Sequence, residues 1–186
     1  MRALRTRGAQ LCASFSPDSK LLVTCDTGGV ARIWDVGSGE RLLALHGHTG
    51  FVLSGVFSPD GRLVATTGSD GTARVWDTAT GAVLAVVNGI RGFPAVFSAD
   101  GSLLAAAGSI VEARTGGPIV NVSSVGHPIV SAFSPDGSLV ATMGFDGVGG
   151  LFRCDLCRPL PQLVELAKTY APRGLTGQER ELFVGG

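Results

Sequence analysis

The sequence predicts an all-β chain built from repeats, and three observations carry the prediction. A five-residue phrase, FSPDG, stands at Phe57–Gly61 and again at Phe133–Gly137, with near-copies at Phe15–Ser19 (FSPDS) and Phe97–Gly101 (FSADG). The four phenylalanines lie 42, 40 and 36 residues apart. Self-similarity at a period of this length marks a repeat architecture. Glycine is abundant, 28 of 186 residues, as a chain with many tight turns requires.

The second unit justifies each element in turn. Val52, Ser54, Val56 and Ser58 alternate with Leu53, Gly55 and Phe57, the period-2 pattern of a strand. Pro59, Asp60 and Gly61 then make a turn: proline presets φ, aspartate bonds back to the backbone, and glycine takes positive φ. A second strand is predicted over Leu63–Thr67, a turn over 69–71, and a third strand over Thr72–Trp76 (TARVW), which is rich in β-formers. A turn at 79–81 leads to a fourth, apolar strand over Ala82–Val87. The first unit repeats the plan with LLVTC, ARIWD, GSGE and RLLAL. Four antiparallel strands in about 40 residues make one blade of a β-propeller.

Composition narrows the function classes. Hydrophobic residues at 45% and charged residues at 16% predict a packed core. Acidic and basic residues balance at 15 each, so no global field draws in nucleic acid or an anionic membrane. The small basic cluster of Arg2, Arg5 and Arg7 lacks the aromatics that stack on bases. No apolar run is long enough for a membrane helix, and no apolar stretch follows the N-terminal arginines as in a secretory signal. The expected compartment is the cytoplasm, and the four cysteines are expected as free thiols or ligands.

The chain resembles the WD-repeat β-propeller family. The resemblance rests on Gly47-His48 before the second unit, on Trp34-Asp35 and Trp76-Asp77 closing third strands, and on the recurrent FSPDG, and it spans about residues 9–153. It implies a buried hydrogen-bonded network within a blade, mapping onto His48, Thr66, Asp70 and Trp76, with a structural rather than catalytic role. The other units depart from this pattern. Unit one has Thr24 and Trp34, but Gly28 stands for the aspartate and no Gly-His precedes it. Unit three has lost about six residues; a lost strand and an exposed sheet edge are expected there, with Val111-Glu112 as the remnant. Unit four keeps His127, Thr142 and Asp146, but Phe152 and Arg153 replace Trp-Asp.

The expected organisation is a propeller of about four blades over residues 1–157, divided 9–47, 48–92, 93–127 (degenerate) and 128–157 (partial). A helical tail over 158–186 follows. In it Leu163, Leu166, Ala167 and Tyr170 fall at helical spacing, and Thr176 with Glu179 forms a capping box. Such a ring is incomplete or small. The segment Arg2–Arg5 could supply the fourth strand of the last blade; two chains could instead form a homodimer that closes an eight-bladed ring; or the chain is a piece of a longer protein. The tail, with CDLC before it, resembles the end of large bacterial signalling proteins, but no P-loop or kinase signature is present.

Cys154 and Cys157 form a C-x-x-C that could supply two zinc ligands or a redox pair, the alternative function for this chain. No second such motif completes a zinc site. Asp18, Asp60, Asp100 and Asp136 recur as turn residues, too far apart for a calcium loop. No Ser-His-Asp order, H-E-x-x-H or paired-carboxylate motif can be assembled. The expectation is a non-enzymatic scaffold, without cofactor, that binds a protein or peptide partner and neither nucleic acid nor membrane. The resemblance places binding on the loops joining fourth to first and second to third strands, which in unit two include Thr49, Phe51 and Ser69.

Overall fold

The computed structural model describes residues 8–90, 94–121, 128–144 and 146–154. Blade one comprises β1 (Gln10–Phe15), β2 (Leu21–Asp26), β3 (Val30–Asp35) and β4 (Arg41–His46). Blade two comprises β5 (Val52–Phe57), β6 (Leu63–Gly68), β7 (Thr72–Asp77) and β8 (Val83–Asn88). Blade three has β9 (Ala95–Phe97), β10 (Leu103–Ala106), β11 (Ser109–Glu112) and β12 (Pro118–Asn121). Blade four has β13 (Pro128–Phe133), β14 (Leu139–Gly144) and β15 (Gly149–Arg153). Each blade is one antiparallel sheet with its strands in sequence order. The predicted helical tail, the strand at Arg2–Arg5, His127 and Cys157 lie outside the described residues.

Two expectations are corrected. Blade three has lost no strand: β11 pairs with β10 and with β12. The deletion instead shortens the hairpin between β10 and β11 to Ala107-Gly108, both at positive φ (47° and 80°). A two-residue turn of this kind matches the twist of its flanking strands, so the sheet survives with shorter strands. The cysteines described are not free thiols. Cys12 and Cys25, partners in the β1–β2 register, are joined in a disulfide with Cα atoms 5.0 Å apart, and Cys154 is disulfide-bonded as well. The sulfurs of Cys12 and Cys25 pack against Gly55 of blade two, where an added Cβ would stand 2.9 Å from Cys25 Sγ.

The FSPDG phrase explains itself as a closed turn. Gly61 N–H donates to Ser58 O at 2.9 Å. The buried Ser58 hydroxyl donates to Asp60 Oδ1 (2.6 Å) and accepts from Leu63 N–H (2.9 Å), while Asp60 accepts from Arg62 N–H. The serine–aspartate bond recurs at Ser16–Asp18, Ser98–Asp100 and Ser134–Asp136. The serine, which the sequence reading passed over, thus ties the start of the second strand to the end of the first.

The core lies in the seams between successive blades. On the leading face of blades one to three, a second-strand residue pairs across the sheet with a third-strand aliphatic: Val23 with Ile33, Ala65 with Val75, Ala105 with Ile110. All six are buried. Each pair shares a cluster with the phenylalanine of the following blade: Phe57, Phe97 and Phe133 in turn. The first residue of the repeated phrase is therefore the side chain that each blade lays on the one before it.

Position 19 is the flaw in the pattern. Ser19 holds φ 60° where the other three turns place glycine at 70–73°. A side chain in this region is strained, and glycine is not. Ser19→Gly is expected to raise unfolding stability by about 0.5–1 kcal/mol, read from the denaturant midpoint at unchanged slope.

Candidate functional site

The best-formed polar site is in blade two, where the link from β4 to β5 meets the β6–β7 turn. Trp76 on β7 donates its indole N–H to Thr66 Oγ1 on β6 at 2.8 Å. Thr66 Oγ1 lies 2.8 Å from His48 Nε2. His48 Nδ1 lies 3.0 Å from both carboxylate oxygens of Asp70. Asp70 also accepts from Thr49 N–H, Thr72 N–H and the Thr72 hydroxyl. The structure thus joins all four residues that the resemblance groups together. With His48 neutral and its proton on Nδ1, each donor in the line finds an acceptor, from indole to threonine to imidazole to carboxylate.

The titration behaviour agrees with that arrangement. Burial holds the His48 imidazole below its ordinary 6.5, against the pull of Asp70, so the ring is neutral at pH 7. Burial would raise Asp70, but the Thr49 N–H, the Thr72 hydroxyl, His48 and the Thr72 N–H bring it down to about 2. Two glycines make room for the ring and its neighbours. A Cβ at Gly68 would meet His48 Nδ1 at 2.4 Å, and one at Gly47 would meet Arg74 Nη1 at 2.8 Å and the Trp76 ring at 3.1 Å.

Other blades resolve the same positions differently. In blade one Trp34 Nε1 donates to Thr24 Oγ1 at 2.9 Å. No histidine precedes it, and the residue matching Gly68 is Asp26. Asp26 is buried, accepts from Gly28 N–H and Val30 N–H, and pairs with Arg32. Burial would raise its pKa, but Arg32 and the Val30 N–H keep it below the usual carboxylate value. Asp26 therefore caps the turn that Asp70 caps in blade two, from two residues earlier in the chain. Blade three abandons polarity: Ala106 and Val111 stand at the threonine and tryptophan positions and are buried in hydrocarbon. In blade four Phe152 offers no N–H, and the buried Thr142 Oγ1 has no hydrogen-bond partner among the described residues.

Thr49, Phe51 and Ser69 share one exposed edge. Ser69 N–H donates to Phe51 O at 2.9 Å, Thr49 N–H donates to Asp70 at 3.0 Å, and a Cβ on the intervening Gly50 would meet Ser69 Oγ at 2.4 Å. The Phe51 side chain is 51% exposed, so it is a surface residue and not core. Cys154 is buried and disulfide-bonded, so its sulfur is not a thiolate ligand. No cluster of metal-ligating side chains occurs among the described residues. No helix among them is long and apolar enough to cross a membrane.

The family model for the WD domain, G-beta repeat, matches residues 5–35 and 39–77, which take in strands β1 to β7. These two stretches are WD repeats. It is 45% and 49% identical over 47 residues to two proteins of Nostoc sp., each named "Uncharacterized WD repeat-containing protein". The matched stretch is 25% of this chain but only 3% and 4% of those relatives. The crystal structure of the computationally designed Ika4 protein superposes with a TM-score of 0.66 at 21% identity, over 82% of this chain and 98% of that one. That likeness concerns the fold alone.

Two expectations about stability follow. His48 is depressed in the folded state, so the unfolded chain binds its proton first, and stability drops as pH falls through about 6.5. Asp70 adds a second loss between about 4 and 2. Denaturant midpoints measured from pH 8 to 3 should fall in these two stages. In His48→Ala the first stage should disappear, and at pH 8 that variant should be about 2–3 kcal/mol less stable. In blade four, Phe152→Trp should supply the missing donor to Thr142 and add about 1 kcal/mol, while the same change in a Thr142→Val background should add nothing.

Proposed function

We propose that this chain is a non-enzymatic interaction scaffold that binds a protein or peptide through the Thr49–Phe51–Ser69 edge of blade two. The observation that carries the reading is Phe51. It is a large apolar side chain, half in solvent, on a loop pinned at both sides by hydrogen bonds to the β6–β7 turn. Rigid loops on a β-scaffold present side chains without the entropy penalty of ordering them. Aromatic side chains, phenylalanine among them, are enriched in protein interfaces. WD-repeat proteins are in general non-catalytic scaffolds, which supports the same reading.

The proposal includes a cytoplasmic setting, no affinity for nucleic acid or membrane, and two alternative ways to complete the ring: a homodimer of two arcs, or further blades of a larger bacterial signalling protein. The balanced charge supports the exclusion of nucleic acid. The two Nostoc proteins, of which the match spans so small a share, support membership of a large assembly of repeats.

The test is selection of peptides from a displayed random library against the whole chain. Peptides with micromolar Kd are expected, and Phe51→Ala should weaken them at least about tenfold. Binders indifferent to Phe51, Thr49 and Ser69 would remove this edge as the site.

A further inference from the structure

The blade seams have a fixed chemistry, and the first and last described blades each expose one half of it. On the leading face of blades one to three, Ile33, Val75 and Ile110 are fully buried against the next blade. In blade four the same register position is Leu151, paired across the sheet with Ala141, and it is 70% exposed. Met143 and Val130 on that blade are also exposed. On the trailing face, Phe57, Phe97 and Phe133 each join the cluster of the blade before. Their equivalent in blade one, Phe15, is 59% exposed, with exposed Leu11 beside it. Among the described strands, those of successive blades pack on each other, and no strand of blade four packs on blade one to a comparable extent.

We infer that a second copy of this chain covers both faces, Leu151 of each copy entering the seam beside Phe15 of the other. This rests on the homodimer reading above and names its interface. The two faces are complementary in kind, because each is one side of a seam that the chain already forms three times. A head-to-tail contact leaves an open filament unless its rotation closes. With two four-bladed arcs, closure gives two identical seams, no unpartnered apolar face, and eight blades, within the range that propellers adopt.

The test is solution mass by light scattering on the full chain, with circular dichroism on the same fractions. A folded species at twice the chain's 19.0 kDa is expected. Phe15→Asp and Leu151→Asp should each raise the dimer dissociation constant at least about a hundredfold. Both side chains are exposed in the single chain, so each variant should keep its β-sheet spectrum. Mixing the two variants should restore a dimer, since one of its seams is then unaltered on both sides. Met143→Lys, on the same free face of blade four, gives an independent variant that should also weaken the dimer. A folded wild-type monomer, open higher assemblies, or dimers insensitive to all three substitutions would each overturn the inference. A monomer that still binds peptides through Phe51 would leave the scaffold reading standing, whereas a dimer that binds none would refute that reading alone.

Discussion

A four-stranded blade has two apolar faces, and it holds together only where neighbours keep both of them dry. The seam between blades is therefore the contact on which the rest of this chain depends. It explains why β6 and β10 are buried along their whole length, although their sheets are antiparallel and such sheets often wet one face. It also explains the repeated phenylalanine. The turn that follows it is polar and closed by its own serine and aspartate, so the aromatic ring is carried at the end of a stiff hairpin and laid on the previous blade. Burial of a ring and an aliphatic partner at each seam contributes a few kcal/mol, roughly 25 cal/mol per Å² of apolar surface removed from water.

The polar network is subordinate to that seam and shows how differently one position can be satisfied. Blade two threads a neutral histidine between threonine and aspartate, and this works because Gly68 has no side chain. Blade one has no histidine and fills the place of Gly68 with Asp26, whose carboxylate then needs Arg32. Blade three removes the polar groups altogether, leaving nothing buried to satisfy. Blade four keeps the threonine and loses its donor. A fully bonded network and a fully apolar substitute are both sound, while in the half-converted blade four the Thr142 hydroxyl has no partner among the described residues.

Much of this was legible in the sequence, because the signals were local and repeated. The blade period, the four strands of unit two and the FSPDG turn follow from alternation and turn chemistry, which need no knowledge of distant contacts. The loss in blade three was misjudged for a physical reason. A deletion of six residues can be absorbed by shortening a hairpin to two residues and trimming strands, and Ala107-Gly108 gave no sign of this in a run of alanines. Asp26 was missed because it does Asp70's work from a different position, so alignment shows only glycine where aspartate should be. The Cys12–Cys25 bond depends on register: residues 13 apart become cross-strand partners only once the first hairpin is drawn. The serine of the phrase was visible but mute, since its role depends on a hydroxyl reaching both forward and back.

The same local reasoning is why the proposed binding site is put on blade two and not spread evenly around the arc. Among the described residues, only there does a carboxylate hold the N–H of the incoming loop (Thr49) as well as the N–H of its own turn (Thr72). In blade one the described bonds of Asp26 go to its own turn and to Arg32, and the incoming segment is held there by Thr27 N–H donating to Ala9 O. In blade three the corresponding positions are hydrocarbon, so no side chain is available to tie the loops together. An exposed aromatic on an untied loop would have to be ordered by its partner at a penalty of about 0.5–1.5 kcal/mol for each immobilised side chain. Phe51 escapes much of that penalty because the buried His48–Asp70 pair has already fixed the loop beneath it. The network's contribution to function is thus indirect. In the proposed reading it does no chemistry on a ligand and serves to stiffen the edge that presents Phe51.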